Sequence, residues 1–257
     1  LKSFFAILLF MSVFCPAQKI IPIEGHTLEN VTDAFLDDYG GVYLYNSKNF
    51  SLTKYNEEGE ERDEILVTFP FKVQSVNNPL SIIAFSENMQ QIEFLDQNLN
   101  QIQQIPLSSV GYANMGYAEN LQSIWVINES NKQLYKYNFR DGSIYAHYYL
   151  DIPLGNLKDM LVYSDKVFLL IDDRLLVYHY HTGKKVSEAS VPLAKKIRRE
   201  GREIFVISRE AVYQYGVMSV KKVFVKANAR IVEKNNSNYL ALIDNKLYLY
   251  PIKTNNN

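Results

Sequence analysis

Six short apolar runs recur along the chain at nearly constant spacing. VYLYN starts at 42, IIAFS at 82, IWVIN at 124, VFLLI at 167, IFVIS at 204 and YLALI at 239, at intervals of 40, 42, 43, 37 and 35 residues. A polar turn and a second apolar run follow each one: FSLTKYN (50–56), QIEFLDQ (91–97), QLYKYN (133–138), LLVYHY (175–180), AVYQYG (211–216) and KLYLYP (246–251). Each pair has the length, alternation and turn composition of a β-hairpin. Short strands repeating every 40 residues or so are the mark of propeller blades, which need four strands each.

The rest of each unit supplies two more strands. Four runs end in proline: ILVTFP (65–70), QIQQIP (101–106), YYLDIP (148–153) and EASVP (188–192), with KKVFVKA (221–227) in the fifth place. Proline cannot donate to a strand ladder, so it suits the end of an outer edge strand. Before each hairpin lies a run rich in small and polar residues, suited to crowding round a channel: VTDAFLD (31–37), FKVQSV (71–76), YANMGYA (112–118), LKDMLVY (157–163), AKKIRRE (194–200) and ARIVEKN (229–235). The sixth unit lacks an outer strand, and QKIIPIEG (18–25) is a spare one. The expected fold is all-β, a six-bladed β-propeller whose last blade is closed by the N-terminal strand. Five or seven blades, or a β-sandwich, are the alternatives. No helix is expected, and EEGEERDE (57–64) reads as a charged turn.

The start, LKSFFAILLFMSVFCPAQ, places Lys2 before an apolar run from Phe4 to Phe14 and CPA before Gln18. This pattern is that of a secretory signal peptide over 1–17, leaving 18–257 as a propeller domain. The apolar run is short for a membrane span. Lipidation at Cys15 and a retained anchor are the alternatives. Cleavage after Ala17 removes the only cysteine, so such a chain has no disulfide and no thiol nucleophile. The expected location is the periplasm.

Motifs for chemistry are sparse. His179 and His181 alternate around Tyr180, which on one strand gives them a common face and the beginning of a metal site, or a pair of solvated side chains near a turn. Asp37-Asp38 and Asp172-Asp173 fall in hairpin turns, where Asp suits tight backbone geometry or a stray calcium ion. Asp33, Glu119, Asp159 and Glu233 are nominal carboxylates for glycosidase-type chemistry at a propeller mouth. No nucleophile elbow, phosphate loop or dinucleotide fingerprint occurs, so no cofactor is expected. Paired tyrosines in the hairpins and the single Trp125 read as packing between blades, since one binding site does not need every blade alike.

Charge is more informative. The formal total is −1, which gives no bulk pull toward nucleic acid. Residues 24–64 nevertheless hold eleven acidic against three basic residues, and 194–230 hold ten basic against three acidic. Patches of this kind steer partners. Lys195, Lys196, Arg198, Arg199 and Arg202 are the candidate partner-binding residues.

In size and strand order the units resemble WD40-like or NHL-like blades across about 18–251, without a Gly-His…Trp-Asp pair, and this resemblance transfers no catalytic residue. The export segment ending in AQ, the Asn- and Lys-rich turns and IEGHTLENVTDAFLDDYGGVYLYN are similar to small periplasmic proteins of Bacteroidetes-type bacteria, among them partners of the type IX protein-secretion translocon. That resemblance implies a non-catalytic accessory or plug that binds a large outer-membrane protein or envelope complex. A glycan-binding or glycan-cleaving propeller is the alternative function.

Overall fold

The computed structural model describes residues 18–253; the expected signal peptide and the alternative lipid anchor at Cys15 lie outside them. These residues form six four-stranded antiparallel sheets, the blades of a six-bladed propeller. The inner strands are Asp33–Leu36, Lys72–Ser75, Met115–Ala118, Leu157–Tyr163, Ala194–Glu200 and Ile231–Lys234, in blades one to six. All six expected hairpins are present. Val42–Asn46 pairs with Ser51–Tyr55 in blade one, and Asn238–Ile243 with Lys246–Pro251 in blade six.

Ring closure follows the expected route. Lys19–Ile21 pairs antiparallel with Lys246–Pro251, Ile21 opposite Leu247, and becomes the outer strand of blade six. Ile21 is 1% exposed and packs with Leu28, Leu36, Leu240 and Leu249. The apolar contacts that anchor it therefore come from both blade one and blade six. Closure removes free edges between the two ends of the repeat.

The outer strands differ from expectation in position. They run Glu61–Leu66, Gln101–Pro106, Ser143–Tyr149, Lys184–Ser190 and Val220–Val225. Four of the five start one to five residues earlier than the sequence runs suggested. The charged stretch EEGEERDE is thus only partly a turn, because its second half already pairs, with Thr53 opposite Glu64 and Lys54 opposite Asp63. An edge strand facing solvent tolerates charge and needs little apolar content, so its start carries no hydropathy signal. Pro70, Pro153 and Pro192 fall after their strands, in the crossovers to the next blade. Two short helical turns also appear, Gly25–Glu29 and the 3-10 turn Ser108–Val110. Each buries one apolar residue, Leu28 or Val110, too little to leave a helical period in the sequence.

The core lies between blades. Trp125 of blade three is 2% exposed, with its ring 4.9 Å from that of Tyr180 in blade four. Tyr43, Tyr135 and Tyr137 are buried as well, so these tyrosines are packing residues. Asn and Asp set the turns by accepting backbone N–H groups two to four residues on. Asn56 does so from Glu58 and Glu60, Asp96 from Asn98 and Asn100, and Asn235 from Ser237 and Asn238. In blade one Asp37 accepts from the Tyr39 and Gly41 amides and from the Tyr43 hydroxyl. A Cβ at Gly41 would stand 2.3 Å from its carboxylate, which is why glycine occupies that position.

Candidate functional site

The strand Ala194–Glu200 threads the channel wall, and this separates the five basic residues that are neighbours in sequence. Lys195 and Arg202 are seven residues apart, roughly 20 Å along extended chain. Lys195 stands at the mouth where the inner strands begin. Arg199 and Arg202 stand at the opposite mouth, which carries the turns between inner and second strands. Lys196 and Arg198 lie between them, buried. Alternation turns Lys196, Arg198 and Glu200 toward blades six and one, and Ile197 and Arg199 toward blade four.

Lys196 and Arg198 are therefore not available to a partner. Lys196 Nζ is 2.6 Å from Glu233 of blade six and 2.9 Å from Asp33 of blade one, and donates to the Ala34 carbonyl at 2.8 Å. Arg198 Nε donates to Glu200 at 2.9 Å, its Nη1 to the Leu36 carbonyl at 3.0 Å, and its Nη2 lies 3.4 Å from Asp38. Lys234 pairs with Glu200 from blade six. Two acidic residues of the first unit, Asp33 and Asp38, thus meet two basic residues of the fifth, Lys196 and Arg198, inside the ring, while most of the remaining charge of both units stays exposed. Burial pulls the Lys196 ammonium down, but Asp33 and Glu233 outweigh it and hold the group above its ordinary value. Burial raises the Asp38 carboxyl, with Arg198 partly offsetting it.

Polar links also close the other half of the channel. Asn77 of blade two donates to the Arg199 carbonyl of blade five at 3.0 Å. Lys72 of blade two pairs with Asp159 of blade four at 3.0 Å, and Asp159 accepts the Ile197 amide of blade five at 2.6 Å. Above these links, at the turn-bearing mouth, is a cavity of about 360 Å³ lined by Gln74, Asn77, Asn78, Tyr117, Glu119 and Arg199, among others. The Arg199 guanidinium lies 4.7 Å from the Tyr163 ring centroid, which pre-orients it. Burial raises the Tyr117 hydroxyl, so it stays a neutral hydrogen-bonding group.

The four carboxylates singled out in the sequence split between two places. Asp33 and Glu233 share Lys196, while Glu119 and Asp159 line the cavity, Glu119 held by Lys136 at 2.7 Å. All four are engaged by lysines. The strand carrying His179 ends there, and His181 lies in the following turn. His179 Nδ1 is 2.9 Å from Asp165, whereas the His181 ring packs 5.0 Å from that of Tyr148. Among the described residues no group of three metal-binding side chains forms. Asp37 is bonded to donors of its own blade, and Asp172 accepts from Asn156.

No protein-family profile matches the sequence, and no curated protein matches it. The likeness is to solved structures. Streptogramin B lyase is 16% identical, covering 93% of this chain and 88% of that one, with a TM-score of 0.52. A catalytically inactive virginiamycin B lyase from Staphylococcus aureus, solved with quinupristin, is 10% identical over 87% and 80%, TM-score 0.51. The WD40 domain of Pan2 from Neurospora crassa is 10% identical over 93% and 97%, also at 0.51. At these identities the shared property is the fold, which lyases and a WD40 domain hold in common. None of them points specifically to a type IX translocon component.

Proposed function

We propose that the chain is a non-catalytic interaction module of the cell envelope, an accessory or plug that docks a large outer-membrane protein through its turn-bearing face. One observation carries this reading. The turns between inner and second strands of three consecutive blades each hold out one apolar side chain: Tyr39 at 81% exposure, Leu80 at 64% and Leu121 at 51%. Arg199 and Arg202 are exposed at blade five on the same face. Aromatic, aliphatic and arginine side chains raised on a rigid frame suit a protein interface. Placement in the envelope rests on the export-like start and on the resemblance of the first unit to periplasmic translocon partners. No helix among the described residues is long and apolar enough to cross a membrane.

The test is recovery of partners from envelope extract in mild detergent. Tyr39→Ser/Leu80→Ser/Leu121→Ser and Arg199→Glu/Arg202→Glu are each expected to reduce recovery of a large outer-membrane protein at least tenfold, since a central interface residue is worth about 1–2 kcal/mol or more. The change is meaningful if Trp125 fluorescence shows an intact ring. Unchanged recovery with both variants overturns the reading. The cavity beside Tyr117, which presents Gln74, Asn77, Asn78 and Asn120 among apolar side chains, favours a second reading, glycan binding at the same mouth. Calorimetric titration with envelope oligosaccharides decides it, with Asn77→Ala expected to abolish any binding.

A further inference from the structure

We infer that the opposite mouth of the channel is an oxyanion site, built to hold a phosphate group between Lys195, Arg209 and Lys158. This does not rest on the docking reading, which concerns the other face. The first observation is a pair of matching backbone irregularities. In the inner strand of blade four the register steps from Leu157↔Ile171 to Asp159↔Leu170, leaving Lys158 as an extra residue. In blade five it steps from Ala194↔Ser208 to Lys196↔Ile207, leaving Lys195 as the extra residue. A bulge re-aims one side chain out of the alternation. Adjacent blades therefore use the same device at the same place to present a lysine at the same mouth. Lys158 Nζ donates to the Ala194 carbonyl at 3.1 Å, which ties one bulge to the other. Arg209 follows the second strand of blade five, its amide bonded to the Leu193 carbonyl at 3.0 Å. The three basic residues line an open depression of about 650 Å³.

The second observation is that this charge is not balanced. Asp173, the carboxylate of the depression, is taken up by Lys158 at 3.0 Å and by the Leu193 and Ala194 amides. Among the described residues neither Lys195 nor Arg209 has an ion-pair partner. Burial pulls the Lys195 ammonium down, and the Lys196, Arg209 and Arg230 charges push it the same way. Asp33 opposes them, but it is already bonded to Lys196 at 2.9 Å. Like charges gathered at a half-buried point destabilise the fold unless an anion joins them. A phosphate dianion supplies the missing charge and enough acceptor oxygens for all three donors.

The experiment is calorimetric titration of the full chain with inorganic phosphate in a phosphate-free buffer, with thermal unfolding in parallel. Wild type is expected to bind saturably and to gain Tm as phosphate rises, because a ligand of the folded state stabilises it by mass action. Lys195→Gln is expected to lose at least tenfold in affinity and the phosphate-dependent gain in Tm, while melting higher than wild type without phosphate. Lys195→Arg should keep binding, and so should Arg202→Gln at the far mouth. Two sources of the group are separated by flotation with phosphatidylcholine vesicles, with and without phosphatidylglycerol. Binding to the anionic vesicles that inorganic phosphate competes away identifies a lipid headgroup, and phosphate binding without vesicle binding identifies a free phosphate compound. Absence of phosphate binding, or equal affinity in wild type and Lys195→Gln, overturns the inference.

Discussion

Lys196→Met is the sharpest test of the idea that charge pairs across the channel hold the ring together. The substitution keeps an unbranched apolar stem as far as Cε and removes the ammonium. Glu233, whose side chain is 2% exposed, then loses its ammonium partner at 2.6 Å and keeps the Lys234 amide at 2.8 Å and Arg198 Nη1 at 3.7 Å. Asp33 loses its partner at 2.9 Å, and the Ala34 carbonyl loses a donor. Breaking a buried pair from one side costs about 3–5 kcal/mol, because a carboxylate is left desolvated and uncompensated. Against a total of about 5–15 kcal/mol, that is a large fraction of the stability. Trp125 is the single tryptophan and is buried, so its fluorescence reports urea unfolding directly. With a slope of about 2–3 kcal/mol/M, the midpoint should fall by about 1–2.5 M. Adding Glu233→Gln to Lys196→Met should recover about 0.5–3 kcal/mol, the range for residues in contact. A loss below about 1 kcal/mol in the single variant, or strict additivity in the double, refutes the reasoning.

Ile21→Ala should loosen ring closure at a cost of about 2–5 kcal/mol, the range for large-to-small changes in a core, and hydrogen exchange should quicken first along Lys246–Pro251, the strand it pairs with. Uniform quickening over all six blades would instead mean that closure is not local to blade six. Burial, followed by the charges of Glu61 and Glu64, pushes the Tyr55 hydroxyl up to about 12. A phenol raised in the folded state favours its neutral form there, so its contribution is complete below the unfolded value of about 10 and is lost as pH rises from there toward 12. Tyr55→Phe should therefore flatten the alkaline limb of the stability curve, read as urea midpoints at pH 9 and 11, and an unchanged limb would count against this assignment.

The fold was legible because three independent patterns in the sequence agree. Alternation gives the hairpins, Asn and Asp at fixed offsets give their turns, and the spacing of the six units gives the ring. The strand at 18–25 was legible because KIIPI is an apolar run that precedes the first repeat and falls outside its phase, and it pairs with Lys246–Pro251 of blade six. The outer strands were not, because solvent-facing edges carry charge and polar residues with no burial to impose a period. Glu61, Asp63 and Glu64 look like turn residues for that reason, although they pair with Tyr55, Lys54 and Thr53.

The site was legible in composition and not in geometry. A run of five basic residues at 195–202 looks like one patch when read along the chain. On a strand it cannot be one, since alternate side chains leave on opposite faces and the strand carries its two ends to opposite mouths. Here the middle pair, Lys196 and Arg198, faces Asp33, Asp38, Glu200 and Glu233, and those carboxylates come from three different blades. A clue was present in the sequence: the inner-strand runs VTDAFLD, AKKIRRE and ARIVEKN carry charges of both signs, and in a closed ring these strands meet at the channel. Charges that face the channel from inner strands, such as Lys196 and Arg198, are thus better read as internal pairs than as a surface patch. What remains for a partner is then set by subtraction. Arg199 and Arg202 are left at the turn-bearing mouth, and Lys195, displaced by its bulge from the paired face, is left at the other.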